Sequence, residues 1–253
     1  ESWQLELIIS GFAIFGMFTA FEPILDGLKT AENAEQSYKI VLWLVALISC
    51  SVLAFNLVLH VILRGLWIGA LGLRYVSGDI DYEKLNYSEK FTNYLKRKVG
   101  SFDKYIATLE NYCSVLFAVS FLLVFYLLSF FAVNFVISSI KFIFDDIHFL
   151  SEQVRSIIAT FIGSFFIVGM LLTFIDFVSQ GILKKKQWLS KIYFQFYWVF
   201  SILTFSFLYR PLVYNFLDNK FGKRLSFMLL PFYVAILVLI TVKYKTSNYL
   251  SIN

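Results

Sequence analysis

The sequence has 253 residues, of which 59% are hydrophobic and only 15% charged, and its formal net charge is +5. Together with a mean hydropathy of +0.73, this balance excludes an ordinary soluble domain and predicts an integral membrane protein. The positive charge does not indicate nucleic-acid binding. The basic residues lie in short loops between apolar runs, where they are expected to set topology and to contact anionic membrane lipids.

Apolar runs long enough to cross a bilayer predict about six transmembrane helices. Because no soluble domain is visible, we expect residues 1–253 to form a single all-α transmembrane domain. The first run has no basic n-region and no clear cleavage site, so it is interpreted as a permanent helix rather than a signal peptide. The predicted spans cover residues 4–25, 38–63, 112–139, 156–180, 190–209 and 226–243.

Two prolines mark predicted helix ends. Glu22-Pro23 is expected to end the first span and Arg210-Pro211 the fifth, because proline removes a backbone donor and bends or terminates a helix. Both ends would then lie at the outer interface of the membrane, where Glu22 and Arg210 could form an ion pair worth up to roughly 1 kcal/mol. We expect Glu6 and Arg210 to extend towards the lipid headgroups.

The second span carries a polar stripe. Asn56, His60 and Arg64 recur every four residues and therefore lie on one face of a helix. Near the end of the fourth span, Asp176 and Gln180 also share a face. Because a charge at a helix centre costs about 2.5 to 3.5 kcal/mol on insertion scales, each should find a partner. We predict an intramembrane polar network of these five residues in which Arg64 pairs with Asp176.

Three glycines follow the polar stripe. Gly65, Gly69 and Gly72 are spaced by four and three residues, which places them on one face of a helix. Another backbone could approach that face closely, since no side chain projects from it. The spacing predicts a close helix contact, and a flexible joint at the membrane surface is the alternative.

Residues 64–111 form the only sizeable stretch predicted to lie outside lipid. An unbroken helix from Tyr38 to Val76 would be about 58 Å long, nearly twice a bilayer core, so the chain is expected to bend or leave the membrane. Opposed apolar and basic faces in the second half predict a basic amphipathic cytoplasmic segment in two pieces joined at Gly100-Ser101. It is either an element that lies on the membrane surface or docks a partner, or a cytoplasmic extension of the third span.

The distribution of Lys and Arg predicts the orientation. For six alternating spans, fourteen of these residues lie on the side of residues 64–111 and eight on the other side, which places both termini in the cytoplasm. Four of the eight lie together in the loop 210–225 and argue against this orientation.

The sequence excludes most kinds of site chemistry. His60 and His148, the two histidines, lie at different predicted depths and cannot ligate a haem between them. There is no zinc-protease motif, dinucleotide-binding turn or P-loop, and Cys50 and Cys113 are expected to be isolated thiols. The run 145–148 is interpreted as a solvated loop rather than a cation site. We therefore predict no catalytic residue, no cofactor and no metal, and no enzyme activity.

Two segments, WQLELIISGFAIF and HVILRGLWIGALGLRYVSGDIDYEKL, resemble an uncharacterised family of bacterial polytopic inner-membrane proteins. That family has a W-x-L-E-L-x-I-S-G opening and an L-R-G-x-W-I juxtamembrane stretch. The resemblance covers about a third of the chain, implies a bacterial inner membrane and brings no activity with it. The matching residues are Trp3, Leu5, Glu6, Leu7, Ser10, Gly11, His60, Arg64, Gly65, Trp67 and Ile68.

These patterns favour a non-catalytic integral membrane subunit that assembles with itself or with a partner protein through its helices and its basic juxtamembrane segment. The alternative is a small channel or ion-coupled transporter with a polar path around His60, Arg64 and Asp176. The lack of a filter-like sequence and of an internal repeat with matching broken helices weighs against the alternative.

Overall fold

A computed structural model describes residues 2–145, 151–179, 181–203, 206–218 and 220–250. Every regular element in these ranges is an α-helix, and no strand occurs among them. The all-α class predicted from composition and hydropathy is therefore confirmed.

The described helices differ greatly in length. The longest, α2 and α4, have 41 and 44 residues, whereas α6 is a single turn. In chain order they are α1 (Ser2–Asn33), α2 (Ser37–Ser77), α3 (Glu89–Val99), α4 (Phe102–Asp145), α5 (Glu152–Val178), α6 (Ile182–Lys185), α7 (Gln187–Leu203), α8 (Ser206–Asp218) and α9 (Lys220–Leu250).

Four of the described helical stretches are long and apolar enough to cross a membrane: α1, α2, the run Glu89–Ile140 and α5. The pair α7 and α8 adds a fifth only if these two helices, which are bent by 116°, count as one span. The apolar part of α9, Phe227–Val242, is shorter than a span. The described helices fit a multi-pass membrane protein with four to five spans, and the predicted six are not confirmed.

The predicted fifth span, 190–209, is not one straight helix. Helix α7 ends at Leu203 and α8 begins at Ser206. The hydroxyl groups of Ser201 and Ser206 hydrogen-bond to each other across this break at 2.7 Å. Hydropathy did not reveal the break, because the sequence around it is as apolar as the middle of a span.

The prolines do not end helices, so that prediction is wrong. Helix α1 continues through Pro23 to Asn33, and α8 contains Pro211. Proline is tolerated inside membrane helices, because neighbouring groups satisfy the backbone carbonyl that loses its N–H partner. Helices α1 and α2 are therefore joined by a turn at residues 34–36 only, in which Glu35 has a φ of 53°.

The chain groups into two compact units, and the prediction of a single domain remains a prediction. Unit 1 comprises Glu1–Phe121 with Phe221–Asn253, and unit 2 comprises Leu122–Lys220. In unit 1, the ring of Trp43 on α2 packs directly on Gly27 of α1. A Cβ at Gly27 would lie only 2.5 Å from that ring, so the close approach of these two helices requires glycine there.

Helix α2 does not end near residue 63. It runs unbroken to Ser77 and stops at Gly78, which has a φ of 70°. Its length of 41 residues corresponds to about 60 Å, so part of it must extend beyond an apolar layer about 30 Å thick. Near its end it packs on α4, where Arg74 donates hydrogen bonds to both carboxylate oxygens of Asp103 at 2.6 and 3.1 Å.

In the second half of 64–111 two helices meet at Gly100-Ser101, whereas the predicted basic amphipathic cytoplasmic segment is not confirmed. Helix α3 ends at Gly100, with a φ of 68°, and α4 begins at Phe102. The Ser101 hydroxyl caps α4 by accepting the Lys104 backbone N–H at 3.4 Å, whereas the Ser88 side chain makes no such bond to α3. Helix α3 has no buried residue. Before it, backbone N–H groups of Lys84 and Glu83 lower the pKa of the Asp81 carboxyl.

Candidate functional site

The polar face predicted on α2 is buried in unit 1. The exposed fractions of Asn56, His60 and Arg64 are 0%, 0% and 3%. Their partners come mainly from α1, where Glu6 and Ser10 lie one helical turn apart and so face the same way. We call the five residues the Glu6 cluster.

Arg64 and Glu6 form the ion pair of this cluster. The Arg64 guanidinium donates directly to the Glu6 carboxylate, whose side chain is 22% exposed. The same carboxylate lies 3.7 Å from His60 Nε2, and His60 Nδ1 lies 3.1 Å from the Ser10 hydroxyl. The Glu6 carboxylate thus neutralises a charge that would otherwise be buried alone, and its expected extension towards the headgroups remains a prediction.

Aromatic side chains enclose the Glu6 cluster. The Arg64 guanidinium carbon lies 4.9 Å from the ring centroid of Trp67, within cation–π range. From α4, the ring of Phe117 lies 5.2 Å from that of His60. From α9, the hydroxyl of Tyr233 donates to Asn56 Oδ1 at 2.8 Å. Four helices of unit 1 thus meet around one polar face.

Three contacts between α1 and α2 each join residues that lie equally far along the chain from the turn between the helices. Glu6 and Arg64 lie equally far along the chain from Glu35, at the turn between the two helices, and so do Ser10 and His60. The Trp3–Trp67 ring pair, with centroids 6.2 Å apart, follows the same rule. The polar contacts are therefore fixed by the position of the turn.

Four atoms on the buried face of α2 have no hydrogen-bond partner among the described residues. They are Asn56 Nδ2, His60 Nε2, Arg64 Nε and Trp67 Nε1. The four residues follow one face of α2 over about 16 Å at 1.5 Å per residue. Each buried polar group without a partner destabilises the folded state by about 1 to 3 kcal/mol. A row of four such groups on one helix face is therefore unusual for a purely structural core.

A second polar cluster lies in unit 2. Asp176, at the end of α5, is 6% exposed. Its Oδ2 lies 2.7 Å from Lys184 Nζ and accepts a hydrogen bond from the Tyr193 hydroxyl at 3.2 Å. Gly181 makes this possible, because its left-handed φ of 85° turns the chain sharply after α5 and brings α6 back to the carboxylate.

Arg210 is the other cation of this cluster. Its Nη2 donates to the hydroxyl groups of Ser201 and Ser206 at 2.6 and 3.4 Å. The Tyr197 ring lies between the cations, with its centroid 5.6 Å from the Arg210 guanidinium carbon and 4.9 Å from Lys184 Nζ. These residues and Asp176 line a cavity of about 50 Å³, which we call the Asp176 cavity.

Arg64 and Asp176 each have a partner within their own unit. Arg64 pairs with Glu6, and Asp176 pairs with Lys184. The Arg64–Asp176 and Glu22–Arg210 pairs remain predictions, and Gln180 lies outside the described residues. Because Arg210 lines the Asp176 cavity, it is not a simple headgroup contact.

No described residue packs on the three glycines of α2. Gly65, Gly69 and Gly72 are exposed, and a Cβ built at any of them would meet no described atom within 4 Å. The predicted helix contact is therefore not made within the described chain. It remains a prediction for contact with another molecule.

The described residues contain no group of three His, Cys, Asp or Glu side chains placed to hold a metal ion. The run 145–148 lies largely outside the description. Cys50 and Cys113 are free thiols, and both are buried. No protein-family model, curated protein or solved structure matches the chain, so the resemblance to bacterial inner-membrane proteins remains a prediction.

Sequence reasoning missed Ser10, Tyr233, Lys184 and Tyr193 as partners. The spacing of Glu6 and Ser10 matches that of His60 and Arg64, and this signal could have found the α1 side of the cluster. The contacts of Tyr233 and Lys184 depend on tertiary packing and have no local signal.

The Glu6–Arg64 pair predicts strongly coupled mutations. Arg64→Met alone leaves a carboxylate unpaired beside His60 and should lower the free energy of unfolding by about 3 to 5 kcal/mol. Combining it with Glu6→Leu should recover most of that loss, because the charge and its partner then leave together. Unfolding of the purified protein in detergent, followed by circular dichroism, measures both.

The exposed ion pair between Arg74, also on α2, and Asp103 on α4 provides the matched control. Their side chains are 29% and 64% exposed, so the corresponding cycle should give a coupling of at most about 1 kcal/mol. Equal coupling energies for the two pairs would contradict a strongly stabilising, buried Glu6–Arg64 ion pair.

Proposed function

We propose that this chain is a non-catalytic integral membrane subunit that assembles with a second copy of itself or with a partner protein. The observation that carries the proposal is the exposed glycine face of α2. The neighbouring side chains Ile62, Leu66 and Leu73 are each more than half exposed. Small residues flanked by apolar side chains are typical of helix contacts inside membranes, where backbones approach closely.

The glycine face lies nearly opposite the polar face of the same helix. At about 100° per residue, the mean direction of the three glycines differs by roughly 150° from that of Asn56, His60 and Arg64. Helix α2 therefore uses its polar side within its own chain and keeps a smooth apolar side for another helix. This division of faces supports assembly through α2.

Helix α3 supports a second contact outside the bilayer. It carries Lys96, Arg97 and Lys98 in its last turn and buries none of its residues. A basic, unburied helix is suited to anionic membrane lipid or to an acidic face of a partner. The resemblance of the chain supports the inner membrane of a bacterium as the location.

Substitution at Gly69 tests assembly. Leu there should break the contact, because its side chain would separate the two backbones, whereas Ala should be tolerated. Light scattering of the protein purified in mild detergent, with identification of copurifying proteins, measures the outcome. A cysteine at Gly69 should also form intermolecular disulfides in membranes, with Cys50 and Cys113 replaced by Ala.

Gly16 is the control. It lies on α1, is exposed, and also has no described atom within 4 Å of a built Cβ. Gly16→Leu should leave assembly unchanged. A wild-type monomer without a copurifying protein, or a Gly69→Leu variant that assembles normally, refutes the proposal.

A small channel or ion-coupled transporter is a second candidate function. The row of unpartnered atoms from Asn56 to Trp67 favours it, because water molecules moving past them could bond to each in turn. The adjacent Glu6 carboxylate and His60 imidazole are groups that can exchange a proton.

Proton flux into proteoliposomes tests this candidate. His60→Gln should slow proton entry at least tenfold, since glutamine keeps a hydrogen-bonding side chain beside Ser10 but cannot titrate. Arg74→Gln, at the exposed end of α2, should have no effect. Wild-type vesicles no leakier than empty ones would exclude the conduit.

We also propose a topology in which α7 and α8 enter the membrane from the cytoplasm and return to it. The six-span arrangement requires Lys184 and Arg210 to lie on opposite sides, about 30 Å apart. Both lie within 5.6 Å of the centroid of one ring, that of Tyr197. With α1, α2, α4 and α5 as the crossing helices, eighteen of the 22 Lys and Arg residues are cytoplasmic, and so are both ends of the chain.

Labelling of single cysteines distinguishes the two topologies. In intact cells, a cysteine at Glu35 should react with an impermeant reagent, whereas cysteines at Lys98 and Asp218 should react only after permeabilisation. If the cysteine at Asp218 reacts in intact cells, α7 and α8 cross the membrane instead. If the cysteine at Lys98 reacts and that at Glu35 does not, the whole orientation is inverted.

A further inference from the structure

The Asp176 cavity has the features of a ligand site. Its volume of about 50 Å³ corresponds to room for roughly four water-sized groups. The Lys184 side chain, which is 34% exposed, connects its wall to the surface. Hydroxyl groups of Ser201, Ser206 and several tyrosines line it, so most of the wall can donate or accept hydrogen bonds.

The charges around the cavity do not balance. Asp176 and Lys184 neutralise each other at 2.7 Å, whereas the Arg210 guanidinium contacts hydroxyl groups and an aromatic ring among the described residues. Among the described residues that line the cavity, the formal charges therefore sum to one net positive charge. In a low-dielectric surrounding, a monovalent anion is the ligand that cancels it.

Two buried atoms in the wall have no hydrogen-bond partner among the described residues, and one is a donor whereas the other is an acceptor. Arg210 Nε is a donor and needs an acceptor, whereas Asp176 Oδ1 is an acceptor and needs a donor. Asp176 is more than nine-tenths buried, so bulk water does not satisfy it. A bare halide could satisfy Arg210 alone.

We propose that the Asp176 cavity binds a small monovalent oxyanion that also carries a hydroxyl group, such as a short 2-hydroxycarboxylate. The carboxylate of the ligand accepts from Arg210 Nε and from the serine hydroxyls. Its hydroxyl group donates to Asp176 Oδ1. The site then holds no net charge, and both unpartnered atoms are satisfied.

Glycolate and acetate are matched probes, since they differ only in the hydroxyl group. Calorimetry on the full chain in detergent should show glycolate binding about tenfold more tightly than acetate, the gain expected for one hydrogen bond to a charged group. Glycine, which has no net charge, should bind more weakly than glycolate. Glycine binding more tightly, or equal binding of glycolate and acetate, would overturn the assignment.

Variants connect the binding to these residues. Arg210→Lys keeps the charge but removes Nε, and should weaken glycolate and acetate alike. Asp176→Asn should reduce the preference for glycolate while acetate still binds. Lys191→Gln removes an exposed cation of α7 that does not line the cavity, and should change neither affinity.

Circular dichroism and thermal unfolding separate loss of binding from loss of fold in each variant. A folded Arg210→Lys variant with wild-type affinity refutes the site, as does an equal loss in Lys191→Gln. Assembly through Gly69 is measured without these ligands, so failure of the anion site and failure of the proposed assembly are independent results.

Discussion

The burial of the Arg64 charge is the constraint on which unit 1 depends. A guanidinium that is 3% exposed within an apolar helix must be neutralised, and Glu6 is the carboxylate that neutralises it. This requirement fixes the depth of α1 beside α2. The turn at residues 34–36 supplies the matching register, and Gly27 allows the two helices to approach. The remaining contacts of His60 and Trp67 follow from that register.

The sequence predicted the polar face of α2 but did not name Glu6 as its partner. Its period places Asn56, His60 and Arg64 on one side of any helix, and the structure buries that side. The partner was missed because α1 was expected to end at Pro23. A helix ending there cannot be registered against α2 from a turn near Glu35. One proline, judged by rules for soluble helices, therefore concealed the role of Glu6.

Local signals were reliable where local chemistry decides. The joint at Gly100-Ser101 was predicted, since a left-handed glycine acts through neighbouring residues. The Asp176 cavity was not predicted. It depends on the turn at Gly181, on the bend between α7 and α8, and on side chains from five helices, α4 to α8. Hydropathy reports how apolar a segment is and says little about where an apolar segment reverses direction.

The unbroken length of α2 links features that lie far apart. A helix of 41 residues without an interior break moves as one body, so it cannot turn about its axis at one end and remain still at the other. Any molecule that gripped the Gly69 side and rotated it would draw Arg64 away from Glu6 and, further along, Arg74 away from Asp103. A partner bound to the Gly69 side could therefore rotate α2 only if its binding free energy exceeded the cost of breaking the polar contacts of Arg64 and Arg74.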